Sequence, residues 1–162
     1  MKTLWLARHA RPLIDTERCY GRLDIAADAQ ATRQAAQALQ QSLQPLHGRL
    51  QIRHSPLQRC RQLALDLQVL EPDFISTPDG RLLEMDFGHW EGLRWNDIGE
   101  AAIGAWAHDL ARHAPGEGES LAQMLQRVHE ALQDALSSDS EHMVWICHAG
   151  VARCAQWLLQ HG

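Results

Sequence analysis

The sequence predicts an α/β fold, a three-layer α/β/α sandwich around a mainly parallel central sheet. Three observations lead to it. Short apolar runs of strand length alternate with amphipathic helical periods from one end of the chain to the other. The strongest strand, His142–Cys147, contains the longest uninterrupted apolar stretch, as expected of a strand covered on both faces. The 162 residues hold no internal repeat, low-complexity tract or compositional break, so 1–162 reads as a single domain.

Element by element, Thr3–Ala7 is an apolar run that meets charge abruptly at Arg8, the pattern of a buried strand ending in a polar loop. Asp28 is placed to cap a helix running to about Gln44, with Thr32, Ala36, Leu39 and Leu43 at helical spacing and Pro45 and Gly48 to end it. Leu50–Arg53 is a second strand. Ser55-Pro56 supplies an N-cap and a first-turn proline for a helix whose apolar face is Leu57, Cys60, Ala64 and Leu67. Phe74–Thr77 is a short third strand. From Pro78 to Gly92 no period holds, which predicts a loop, the start of a lid or cap region over about 78–118. Asn96 to about His113 reads as one helix, broken by Pro115–Gly118. Ser120 with Gln123 forms a capping box for a helix to about Leu136, and Val151, Cys154, Ala155 and Leu158 define a last helix after His142–Cys147.

Composition removes several function classes. Twenty acidic against fifteen basic side chains give a net charge of −5, which predicts no nucleic-acid partner. No stretch approaches the roughly 20 apolar residues that cross a bilayer, which predicts no membrane span. The four scattered cysteines form no C-x-x-C pair, and a reducing cytoplasm is the expected setting. The ten histidines show no metal-ligand spacing, so no metal is expected. Lys2 is the only lysine; the other cations are arginines, whose planar fork matches phosphate and carboxylate.

In folds of this class, ligands collect at the carboxyl ends of the strands. There the sequence places Arg8 and His9 after the first strand, Arg59 in the first turn after the second, and His148 after the strong one. Two arginines and two histidines at helix N-termini are a site for a phosphate-like anion.

The residues around these four carry a resemblance. Leu6-Ala7-Arg8-His9-Ala10 resembles the R-H-G signature of the histidine phosphatase (phosphoglycerate-mutase-like) superfamily, and Ser55–Cys60 is similar to its S-x-L-x-R-A helix start. Leu83–Gly92 resembles its L-x-E-x-x-x-G-x-W-E-G loop, and Cys147–Arg153 its S-H-G-G-V-I-R segment, all in matching order. Cys19–Asp24 and Pro115–Ser120 look most like segments of the alpha-ribazole phosphatases, which remove the 5′-phosphate from a cobalamin precursor.

The resemblance implies a phosphomonoesterase acting on a small phosphorylated metabolite without metal or other cofactor. His9 would accept the phosphoryl group, with Arg8, Arg59 and a protonated His148 neutralising its oxygens, and Glu84 would be the general acid. Arg22, Tyr20 and Trp90 would touch the substrate, while Glu91 and Trp95 anchor the lid. Alternatives are a phosphatase or mutase for another small ester, a compact protein-phosphohistidine phosphatase, or a non-catalytic phosphate-binding regulator. Against the family pattern, Ala10 replaces a glycine, Pro12 a hydroxyl residue and Asp15 an asparagine, the last placing a carboxylate where an anion would bind. The chain ends fourteen residues after His148, where relatives continue, so a sheet edge closed by a second subunit, a homodimer, is a further expectation.

Overall fold

Alternation along one strand sets the layers. In the computed structural model, which describes all 162 residues, β4 (His142–Cys147) turns Met143, Trp145 and Cys147 to one side of the sheet and Val144 and Ile146 to the other. All five are buried. β4 is flanked by β1 (Thr3–Arg8) and β2 (Leu50–His54), with β3 (Ser76–Pro78) outside β2, and every pairing is parallel. Arg8 pairs with Cys147 and His54 with Ile146, so β1, β4 and β2 end almost level.

Parallel neighbours need crossovers, and the helices supply them. On the Val144/Ile146 side, α1 (Ala29–Leu43) and α2 (Gln58–Leu70) bury Ala36, Leu43, Cys60, Leu63 and Leu67. Between the layers lie α3 (Trp95–Ile98) and α4 (Glu100–His108), in the segment joining β3 to the second helical layer. That layer is α5 (Leu121–Ser137) and α6 (Ala149–His161), whose Met124, Val128, Ala131, Val151 and Ala155 meet Met143, Trp145 and Cys147. The three-layer α/β/α arrangement is therefore as expected. None of these helices is long and apolar enough to cross a membrane.

Local chemistry explains the boundaries. Asp28 accepts the Ala31 N–H at 2.8 Å to cap α1, and Ser120 and Gln123 exchange side-chain bonds in the capping box of α5. Three expectations need correction. The second helix starts at Gln58, not after a Ser55 cap, because the Ser55 hydroxyl is taken by a histidine across the sheet edge. β3 begins at Ser76, two residues later than expected. The helix expected over 96–113 is split at Gly99, whose φ of +89° ends α3 and starts α4, and it stops at His108.

Within 78–118, the turns around Gly88 and Gly116 pack backbone to backbone. Gly88 and Gly116 both have positive φ, and a Cβ on Gly88 would strike the carbonyl of Gly116 while one on Gly116 would strike that of Phe87. This close contact fixes the wall of the cavity described below.

Leu67, fully buried between α2 and the sheet, tests the first core. Leu67→Ala is expected to lower the unfolding free energy by about 2–5 kcal/mol in urea titrations. A loss below about 1 kcal/mol would show that this core collapses around the deletion.

Candidate active site

Three neighbouring strands each deliver one end of the site. β1 leads into His9, whose N–H bonds the Cys147 carbonyl; β2 leads into Ser55, whose N–H bonds the Ile146 carbonyl; β4 leads into His148 at the N-terminus of α6. Arg59 sits in the first turn of α2. The structure thus brings Arg8, His9, Arg59 and His148 to one edge, with the two imidazole rings 5.0 Å apart between centroids.

The hydrogen bonds settle where the protons lie. His9 Nδ1 is 2.7 Å from the Ala10 carbonyl, which can only accept, so Nδ1 carries the hydrogen and Nε2 keeps its lone pair. Burial pushes the His9 pKa down to about 4, with Arg59 and Arg8 adding to the effect and the Ala10 carbonyl opposing it. His148 Nε2 lies 2.8 Å from Ser55 Oγ, which also accepts the Leu57 N–H at 3.4 Å. The hydroxyl hydrogen can donate to Nε2, which makes Nδ1 the N–H of His148; that nitrogen is buried and has no partner. Burial first, then Arg59 and His9, push the His148 pKa down to about 2. Burial and the neighbouring cations thus disfavour the protonated His148 expected from the sequence.

Arg59 is fully buried and forms no ion pair. Its Nη1 donates to the Leu23 carbonyl at 2.8 Å and its Nη2 to the Gly21 carbonyl at 2.6 Å, and the Tyr20 ring lies 5.4 Å from its Cζ. Its Nε has no partner. Two buried unpartnered donors, Arg59 Nε and His148 Nδ1, beside a neutral nucleophilic nitrogen can hold an anionic oxygen cluster against His9.

Glu84 reaches the edge from the cap. Its carboxylate accepts the Gly150 N–H at 3.1 Å in the first turn of α6 and its own neighbour's N–H, Met85, at 3.1 Å. A side chain at position 150 would collide with Glu84 Oε1, so the glycine makes room for the acid. The main-chain carbonyl of Glu84 is held by Arg22 Nε at 2.9 Å and Arg127 Nη2 at 3.3 Å, and Arg127 is itself doubly bonded to Glu119.

Arg22 therefore braces the Glu84 segment; it does not line the pocket, contrary to its expected contact with substrate. Trp90 is likewise buried, edge-on to Trp106 at 6.0 Å, and packs the cap rather than facing a cavity. Tyr20 does line the site. It stands between a cavity of about 390 Å³ holding Arg8, His9, Arg11 and Thr16 and an apolar one of about 640 Å³ holding Glu84, Phe87, Trp106, Leu125 and Trp157. Asp15 accepts the Glu17 N–H and faces Arg94, so its carboxylate is turned away from the anion site. Sequence reading missed Ser55 as a partner of His148, Thr16 as a pocket hydroxyl and Gly150 as the seat of Glu84. The glycine in Cys147–Arg153 was the one signal available for the last. No three His, Cys, Asp or Glu side chains gather as a metal-ligand set.

With this geometry in place, comparison with known proteins is decisive. The profile of the histidine phosphatase superfamily, branch 1, matches residues 4–161. The chain belongs to that superfamily. A Hydrogenobacter thermophilus protein bearing the name phosphoserine phosphatase 2 is 28% identical over 98% of this chain and 79% of its own. The mycobacterial glucosyl-3-phosphoglycerate phosphatase superposes with a TM-score of 0.81 at 25% identity, covering 95% of this chain and 77% of that one. The alpha-ribazole phosphatase of Shigella flexneri gives 0.78 at 25% identity, over 92% and 75%. This histidine phosphatase is an enzyme, a phosphoric monoester hydrolase.

Two measurements follow from the phosphatase's geometry. His9 and His148 have folded-state pKa values below the ordinary 6.5, and His54 is shifted the same way by burial. Below pH 6.5 the unfolded chain binds protons that the folded one refuses, so this stabilisation is complete above pH 6.5 and is lost as pH falls toward 4. Urea midpoints are expected to drop across that window, and His9→Gln to flatten the drop; an unchanged slope would assign it to other groups. Gly150→Ala is expected to displace Glu84 and cut kcat by about 10²-fold while leaving inhibition by orthophosphate within about 3-fold. Equal loss in both would place Gly150 in the anion site instead.

Proposed function

We propose that this phosphatase hydrolyses its ester through a phosphohistidine on His9. The observation that carries the reading is the pair of buried, unpartnered donors, Arg59 Nε and His148 Nδ1, beside His9, whose tautomer leaves Nε2 free to attack. Arg8, Arg59 and His148 hold the phosphoryl oxygens, and a bound dianion reverses the field that keeps His148 neutral. His9 Nε2 forms a bond to phosphorus as the ester P–O bond breaks, and Glu84, in its protonated form, gives its proton to the departing alkoxide. The Glu84 carboxylate then takes a proton from water, whose oxygen attacks phosphorus. The P–N bond breaks, releasing orthophosphate and restoring His9.

The finer reading is alpha-ribazole 5′-phosphate as substrate. Its support is the cavity beside Glu84, about 640 Å³ and lined by Phe87, Trp106, Leu121 and Leu125, a surface suited to an aromatic base rather than to a small charged alcohol. The segment 78–118 serves in this reading as the cap that forms one wall. A second reading rests on Arg153, which is exposed at the same cavity and engaged in no ion pair, and which offers a cation to an anionic leaving group such as phosphoserine.

Phosphate release from alpha-ribazole 5′-phosphate, phosphoserine and phosphoglycerates separates these readings. The first expects kcat/KM for the ribazole ester to lead and to survive Arg153→Met; the second expects the anionic esters to lead and to fall with that change. Acid-labile, base-stable label on His9 is expected after rapid quench, and His9→Ala is expected to abolish turnover. Glu84→Gln is expected to cost about 10²–10⁴-fold on an alkyl ester and far less on p-nitrophenyl phosphate, whose leaving group needs no proton. Turnover by His9→Ala at the wild-type rate would sink the mechanism.

A further inference from the structure

Glu91, expected only to anchor the lid, gathers more main-chain hydrogen bonds than any other side chain in the structure. Its Oε1 accepts the N–H of Gly21 at 3.1 Å, Arg22 at 2.8 Å and Phe87 at 3.1 Å, and its Oε2 that of Gly21 at 3.0 Å and Leu23 at 3.1 Å. It forms no ion pair, so its charge is satisfied by peptide groups alone. The backbone reinforces the attachment: Cys19 N–H bonds the Leu93 carbonyl and Gly92 N–H the Cys19 carbonyl, both at 2.8 Å.

The same loop, on its other side, holds Arg59. The peptide unit joining Gly21 to Arg22 has its N–H on Glu91 and its C=O on Arg59 Nη2. One peptide dipole thus lies between a carboxylate and a guanidinium, aligned favourably with both. The Leu23 carbonyl takes Nη1, which fixes the plane of the guanidinium and hence the direction of its unpartnered Nε.

We propose that Glu91 is a positioning residue for phosphoryl transfer, acting through the Gly21–Leu23 loop to aim Arg59 at the phosphate. This rests on the phosphohistidine reading, in which Arg59 holds the transferring group. Glu91 also holds Phe87 of the apolar cavity, so a rival role, shaping the leaving-group pocket, makes a different prediction. Arg59 meets the phosphoryl group common to every ester, whereas the cavity wall meets only the part that differs.

The test is a double-mutant cycle on the full chain, Glu91→Gln and Arg59→Lys, with p-nitrophenyl phosphate and an alkyl phosphate as substrates and orthophosphate as inhibitor. Glu91→Gln is expected to lower kcat/KM by about 10- to 100-fold, equally for both esters, and to weaken orthophosphate inhibition in parallel. In the Arg59→Lys background, where the fork is already gone, the same change is expected to cost under about 3-fold. An equal loss in both backgrounds, a loss confined to one ester with orthophosphate unaffected, or no loss at all would overturn the proposal. If Glu91→Gln gives no cooperative thermal transition, Glu91→Asp, one methylene shorter, enters the cycle under the same criteria. Turnover by His9→Ala would instead remove the underlying mechanism, a separate outcome from additivity in the cycle.

Discussion

Burying a guanidinium costs several kcal/mol unless its N–H groups find acceptors, and a carboxylate is the usual answer. Arg59 has none. It lies at zero exposure with two loop carbonyls as acceptors for its Nη atoms and its Nε without a partner. An anion that supplied the missing acceptor would also supply the missing charge, which is why this arrangement favours phosphate over a neutral ligand. The loop can serve only because it runs close against the cap: a Cβ on Gly21 would strike the Met85 carbonyl. Loop, cap and arginine are consequently one unit, and the anion site is as rigid as the contacts that hold that loop.

The surrounding charge follows the same economy. A chain with five more acids than bases carries Arg8 and Arg59 at one sheet edge, while several other arginines brace the fold. Arg53 and Arg81 close on Asp79, Arg127 on Glu119, and Arg22 on the Glu84 carbonyl. The two histidines at the centre are neutral at pH 7, so the positive field there comes from Arg8 and Arg59. The four cysteines add no reactivity. All are buried, and burial pushes every thiol upward, Cys147 beside His148 to about 12.

Much of this was legible in the sequence where local rules and tertiary demands agree. β1 and β4 stop where apolar runs meet charge, α1 and α5 start where their caps stand, and strand ends in a parallel sheet collect ligands whatever the fold's history. These rules gather Arg8, His9, Arg59 and His148 at one edge before any coordinate is known. Legibility ended where a side chain chose a distant partner over a near one. Ser55 before Pro56 has the form of a helix cap, but its hydroxyl is spent on His148, 93 residues away. Arg22 beside Asp24 suggests a surface pair, but its Nε reaches the Glu84 carbonyl. Gly99 lies inside the stretch read as one helix, and only its positive φ reveals two in its place. No periodicity encodes such contacts.

β1 is inserted beside β4, and Thr3 pairs with His142. Neither strand has a hairpin partner, and pairing them closes a loop of well over a hundred residues. Chains of high contact order fold slowly. During synthesis on a ribosome His9 therefore emerges long before His148, the residue whose ring it faces. His9 and His148 come together only when β4 pairs with β1.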